Sequence, residues 1–318
     1  MILEKLLDVP FNARNVKGDV GIEIEVEGKN LPEVIEGNFW KVVAEGSLRH
    51  GYEYVLKSPI SVGRLKESLA EFDSAFAENK SEPISSIRTS VHIHINANKS
   101  SVVELYRFFA LYWLVEEFLV GLNTPIREGN LFCLRQIDAD GLMSEIIKAA
   151  ANGSIPRFSV DSAKYAALNM SALQKYGSLE FRFIKGTTNS RIIHFWVKGL
   201  YDFFIMSKQI KDLDTILSMN VSDPIPILKK ILPITLLSAV LRKYSEEQIS
   251  SSMRKGWKYS YLLNQELKSE FFKIPAIFSK EDDLEDAPRQ EPAKAKPKKV
   301  GSLDHLIFFD EVPDQDNF

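Results

Sequence analysis

In four stretches of this chain, apolar residues alternate one for one with residues able to do chemistry. In Val20–Glu27 the apolar set is Val20, Ile22, Ile24 and Val26, and between them stand Gly21, Glu23, Glu25 and Glu27. In Thr89–Ala97, Val91, Ile93 and Ile95 alternate with His92, His94 and Asn96. In Ser178–Ile184, Leu179, Phe181 and Phe183 alternate with Ser178, Glu180 and Arg182, and Gly51–Leu56 sets Glu53 between Tyr52 and Tyr54. Successive side chains of a strand point to opposite faces. The pattern therefore predicts a sheet with one apolar face and one face carrying a few reactive groups.

A wet face is common in antiparallel sheets and usually carries a loose mixture of Thr, Lys, Ser and Gln. Here it is a row of acids on one strand, two imidazoles on a second and an acid–arginine pair on a third. Glu23 and Glu25, two positions apart on one face, lie about 7 Å from each other by twice the strand rise. Like charges that close repel unless a cation lies between them. Oxygen ligands with a single imidazole suit Mg²⁺ or Mn²⁺, whereas zinc calls for more Cys or His.

The remaining elements set the fold class. A helix is predicted near Arg64–Glu78, and Ser101-Val102-Val103-Glu104 reads as a capping box opening a long helix to about Leu122. Tyr176-Gly177 reads as a turn into the last strand, followed by a helix from Ser190 to about Lys208. Residues Lys211–Phe272 read as helical with a break at Pro224–Pro226. Strands come first and helices later, without βαβ alternation. The expectation is α+β, with a mainly antiparallel sheet and helices packed on its apolar face. Residues 1–278 are expected to form one catalytic domain. Residues 279–318 are expected to be a flexible tail, because Lys280–Lys299 holds an acidic block and then three prolines among lysines, ending near a short apolar run at Leu306–Phe309.

Composition narrows the class of protein. Forty Lys+Arg against 43 Asp+Glu give a net charge of -3, which argues against an electrostatic nucleic-acid partner. The single cysteine, Cys133, excludes a disulfide framework or Cys-rich zinc site and reads as buried filler. The start of the chain lacks the basic-then-apolar layout of a signal peptide, and no apolar run approaches the 18–20 residues a membrane span needs. A soluble, cytoplasmic protein without a membrane partner is expected. There is no Gly-x-x-x-x-Gly-Lys-Ser/Thr, Gly-x-Gly-x-x-Gly or Gly-x-Ser-x-Gly, so a nucleotide has to be held by the sheet and its cations. Arg127-Glu128-Gly129-Asn130 after the long helix, and Arg182 on the polar face, are candidate phosphate contacts. Arg135 reads as a surface ion pair.

Taken in order, these blocks resemble the carboxylate–amine ligase superfamily, which includes glutamate–cysteine ligases and amidoligases on the glutamine synthetase-like fold. Gly21-Ile22-Glu23-Ile24-Glu25-Val26-Glu27 resembles its opening metal-binding strand. Glu45-Gly46-Ser47-Leu48 and Gly51-Tyr52-Glu53 resemble its second block, with Glu45 where the family usually has Asp. Val91-His92-Ile93-His94 resembles its His-x-His strand, Arg127…Asn130 its Arg-x-x-Asn loop, and Glu180-Phe181-Arg182 its Glu-x-Arg strand. The resemblance spans about Gly18 to Thr187.

The resemblance implies an enzyme that uses ATP and Mg²⁺ to convert a carboxylate into an acyl phosphate, which an amine or ammonia attacks to give an amide. It implies Glu23, Glu25, Glu53, His92 and Glu180 as metal ligands, with His92 near the γ-phosphate and His94 at phosphate or substrate. Arg127 and Asn130 would contact nucleotide, Arg182 would clamp the transferred phosphoryl group, and Glu45 would reach metal or substrate. The substrates implied are a small-molecule or peptide carboxylate and an amine, with a glutaminase or a peptidase as the partner classes to look for. Two other readings stay open: a metal-dependent phosphotransferase or phosphoesterase on the same sheet, and a non-catalytic binding module whose acid row is only electrostatic.

Overall fold

The computed structural model describes residue 3 and residues 17–84, 86–123, 133–155 and 165–268. Arg127, Asn130, the 278/279 boundary and the tail lie outside the described residues. Among those described, the chain is α+β, with a seven-stranded antiparallel sheet and nine α-helices.

The strands are β1 (Val20–Lys29), β2 (Trp40–Ala44), β3 (Gly51–Leu56), β4 (Glu82–Ile84), β5 (Ser90–Asn96), β6 (Leu168–Asn169) and β7 (Ser178–Lys185). They run β2-β3-β1-β5-β7-β6 across the sheet, with β4 pairing the far end of β1. The four strands read from alternation thus become four neighbours, and their polar positions fall in register. Glu25 lies opposite Glu53, Glu23 opposite His92, Gly21 opposite His94, and His94 opposite Glu180. Directly paired residues share a face, so the row of acids, the imidazoles and the acid–arginine pair form one surface.

The other face is the core. Helix α1 (Leu65–Glu78) lays Phe72 and Phe76 against Trp40 and Tyr54 of β2 and β3. Helix α2 (Val102–Gly121) opens on a capping box in which Ser101 and Glu104 each satisfy the other's backbone N–H. Its Phe108 and Tyr112 meet Phe181 of β7 edge-on. Helix α3 (Asp140–Ala151) follows, and α4 (Ser171–Tyr176) stops at Gly177, whose φ of 69° lets the chain reverse straight into β7. Helix α5 (Ser190–Gln209) is capped by Asn189 and packs Trp196 on Phe183. Burying each such ring contributes about 1.5–3 kcal/mol.

The structure departs from the sequence reading in three places. Strands β2, β4 and β6 were not expected: β6 is two residues long and β4 three with Pro83 at its centre, too short for alternation to register. The expected break is present over residues 218–224, and the stretch Pro224–Pro226 stands at its end. It opens α7 (Ile225–Ile231), since proline is tolerated in a first helical turn. Together with α6 (Asp214–Leu217), α8 (Ile234–Lys243) and α9 (Glu246–Lys268) it makes four separate helices of the region expected as helical with a single break. Lastly, the β5–β7 ladder is irregular between Val91 and Ile93. The extra residue on β7 buries both Phe183 and Ile184 and turns Lys185 to face Ser90. No helix among the described residues is long and apolar enough to cross a membrane.

Candidate metal centre

Glu23 is the hub of the polar face. Its Oε2 lies 3.1 Å from His92 Nδ1 and its Oε1 lies 3.4 Å from His94 Nε2. Two groups of possible ligand atoms, each within 4.8 Å of one another, share it: Glu23, Glu53 and His92, and Glu23, His94 and Glu180. Each group offers two carboxylates and one imidazole.

The hydrogen bonds behind these groups decide which atoms face inward. Ser90 Oγ donates to Glu25 Oε2 and lies 2.7 Å from His92 Nε2. A hydroxyl has one proton, so with that proton on a carboxylate Ser90 accepts from His92 Nε2–H. The other ring nitrogen, Nδ1, then faces Glu23 and, at 3.8 Å, Glu180. His94 is tied outward in the same manner, Nδ1 to Ser178 Oγ at 3.0 Å, while its buried Nε2 has no hydrogen-bond partner of good geometry. Glu180 accepts from Arg182 Nη1 on Oε1 and from Asn169 Nδ2 at 2.7 Å on Oε2. Arg182 Nε is likewise buried without a partner.

The electrostatics show a surface short of positive charge. Burial, then the charges of Glu23, Glu25 and Glu45, push the Glu53 carboxyl up to about 7. Burial also works against an ionised Glu23, but hydrogen bonds and charge from His92 and His94 outweigh it and hold that carboxyl well below the usual range. Against its own burial, His94 is raised by Glu23 and Glu180, which favour the imidazolium. Glu180 is held low by His94, Arg182 and His92 despite its burial. A divalent cation would meet the same demand. Carboxylate oxygens with one imidazole per group fit Mg²⁺ or Mn²⁺ by donor chemistry.

Beside this cluster, at the end of the face marked by Gly21, Asn96 and Ser178, is a cavity of about 270 Å³. Lys41, Val55 and Tyr176 line it together with Glu23 and His94 of the cluster. The face therefore sets two groups of possible cation ligands beside a cavity of small-molecule size.

Each sequence-predicted residue among those described has a definite position. Glu23, Glu53, His92 and Glu180 converge, and His94, expected at phosphate or substrate, joins them. Glu25 is on the same face with its carboxylate on Ser90. Glu27 is buried at the far end and accepts from Arg49 N at 2.6 Å. Glu45 is half-buried after β2, with Oε1 taking the Ser47 N–H at 3.1 Å, and its charge is felt at Glu53. Arg135 pairs with Asp138 and Glu117 away from this face, and Cys133 is buried. Sequence reasoning passed over Ser90 and Asn169. Ser90 continues the parity of His92 and His94 by one step. Asn169 had no signal at all, since it lies on a strand of two residues. A scan against protein-family models finds no match, and a search of curated proteins finds no relative.

A second buried carboxylate lies away from the cluster. Glu116 of α2 is fully buried and accepts the Gln136 N–H at 2.9 Å and the Ile137 N–H at 3.0 Å. Burial pushes its carboxyl up to about 7 in spite of those donors. A carboxyl raised on folding stabilises the fold fully below its unfolded value, and that stability is lost as pH rises through about 7. The expected loss is roughly 1.4 kcal/mol per pH unit across the window. Urea denaturation at several pH values between 5 and 8 should show a shallower fall for Glu116→Gln than for wild type. Parallel slopes would show that Glu116 does not titrate there.

Proposed function

We propose that this chain is an ATP-dependent carboxylate–amine ligase on a glutamine synthetase-like fold, joining a carboxylate to an amine or ammonia through an acyl phosphate. The observation that supports it most is the convergence on Glu23. One carboxylate is shared by two imidazole–acid groups, with Arg182 beside them and a small-molecule cavity adjoining. The ordered resemblance of the same strands to the superfamily points the same way.

In this reading Glu23, Glu53 and His92 would hold one divalent cation, Glu23, His94 and Glu180 would offer a second place, and Glu25 would add charge alongside. Divalent cations held there would supply charge neutralisation at the γ-phosphate, so that phosphate and carboxylate could approach one another. A carboxylate is a poor electrophile, and phosphorylation gives it a leaving group. Arg182, its Nη1 held by Glu180, would set its guanidinium charge beside the phosphoryl group in transit. Glu45, near enough to raise Glu53, takes the proton that the attacking amine sheds. No covalent nucleophile on the protein is required, which suits a site built from acids, imidazoles and one guanidinium.

The test is product analysis. With ATP, a panel of carboxylates and a panel of amines, turnover should give ADP and phosphate only when both a carboxylate and an amine are present. AMP and pyrophosphate would mean adenylation and sink this mechanism. ADP release that ignores the amine would favour a phosphotransferase or phosphoesterase on the same residues.

A further inference from the structure

Asn169 faces the cluster from behind and has no part in the reading above. It sits on β6, directly across from Glu180 on β7. Its Nδ2 donates to Glu180 Oε2 at 2.7 Å, and the residue is buried. The direction of that bond is fixed independently. Asn169 Oδ1 accepts two donors from the start of α4, the Ser171 backbone N–H at 2.9 Å and the Ser171 hydroxyl at 2.6 Å. With its oxygen engaged twice, the amide can only turn its NH₂ toward Glu180.

The strand carrying Asn169 is pinned on both sides. Arg182 N donates to Ala167 O at 2.9 Å, Ala167 N donates to Leu134 O at 2.7 Å, and Gln136 Nε2 donates to Leu168 O at 2.9 Å. Gln136 is itself held by Glu116 of α2 and by the indole of Trp113. The amide therefore stands on a rigid support. Tying Oε2 back to Asn169 leaves Oε1 as the oxygen that meets Arg182 and faces His92 at 3.8 Å.

We propose that Asn169 is a positioning residue for the cation centre: its amide, locked by Ser171, fixes the Glu180 carboxylate so that Oε1 is the oxygen offered to the cluster. The inference rests on the reading of Glu180 as a metal ligand. Groups that orient a ligand from behind typically account for 10- to 100-fold in metal affinity.

The probe is Mn²⁺ titrated into the full chain, with unbound ion measured by its EPR signal. Asn169→Ala is expected to weaken Mn²⁺ binding by roughly 10- to 100-fold. Asn169→Leu nearly keeps the size but removes the donor without adding charge, so it should weaken binding about as much as Asn169→Ala, which a mere packing role would not produce. Ser171→Ala removes one of the two locks and leaves the backbone donor. It should weaken binding only by about a few-fold, with little change in Tm measured without metal, and it decides the matter if the Asn169 variants fail to fold. Wild-type affinity in Asn169→Leu, or in Ser171→Ala where only that variant folds, overturns the proposal. If the wild-type chain binds no Mn²⁺, the reading of the cluster as a metal centre fails and takes the proposal with it. That outcome is distinct from tight binding that is indifferent to residue 169.

Discussion

Arg182→Ala is expected to lower kcat for amide formation by roughly 10²- to 10³-fold while leaving the KM for ATP nearly unchanged. The guanidinium is mostly buried, its Nη1 is held by Glu180, and its Nε has no partner of its own. In the proposed reaction a donor held in that way would serve charge that develops during phosphoryl transfer, so its loss would belong to the transition state and not to ATP binding. Steady-state ADP release at saturating carboxylate and amine measures both constants. Arg182→Lys should recover only part of the rate, because an ammonium cannot hold Glu180 and a phosphoryl oxygen with one rigid fork. A variant that raises the KM for ATP and keeps kcat would assign Arg182 to ground-state binding and contradict this role.

The second large effect concerns the helical layer. Gly256→Ala is expected to destabilise the fold by about 3 kcal/mol and to lower Tm by roughly 6–12 °C. A Cβ at Gly256 of α9 would lie 2.0 Å from Trp113 O and 2.5 Å from Trp113 C, both backbone atoms of α2. One turn on, Ser260 Oγ donates to Ala110 O at 2.8 Å, so the two helices touch backbone to backbone along this line. Alanine favours a helix over glycine by about 1 kcal/mol, and the contact has to overcome that preference. Gly141→Ala is the control: Gly141 lies in α3 with nothing within 4 Å of a built Cβ, and the same change there should stabilise slightly. Calorimetry on the two variants separates contact from propensity. Equal shifts would show that α9 can move away from α2 at little cost.

These two expectations stand on different levels of the molecule, and they divide what was legible in advance from what was not. Arg182 was visible in the sequence because strand periodicity is short-range: every second residue shares a face whatever the rest of the chain does. The same rule placed Glu23, Glu25, Glu53, His92, His94 and Glu180 on one surface, and the structure has them there. The capping box at Ser101 and Glu104 was equally local, since its two reciprocal bonds span only three residues.

What the sequence did not contain was which of those groups meet. That depends on register between strands as far apart in the chain as β1 and β7, and register follows from how the apolar faces lock onto α1, α2 and α5. It made Glu23 the shared residue, drew His94 in among the acids and set Glu25 against Ser90. Asn169 and Gly256 belong wholly to the tertiary structure. A two-residue strand has no period to read, and a glycine within a helix announces nothing until a second backbone lies against it. By itself the sequence determined the faces, because alternation and capping are decided within a few residues. Only the tertiary structure decided the partners, because contacts between distant segments are set by packing the whole core.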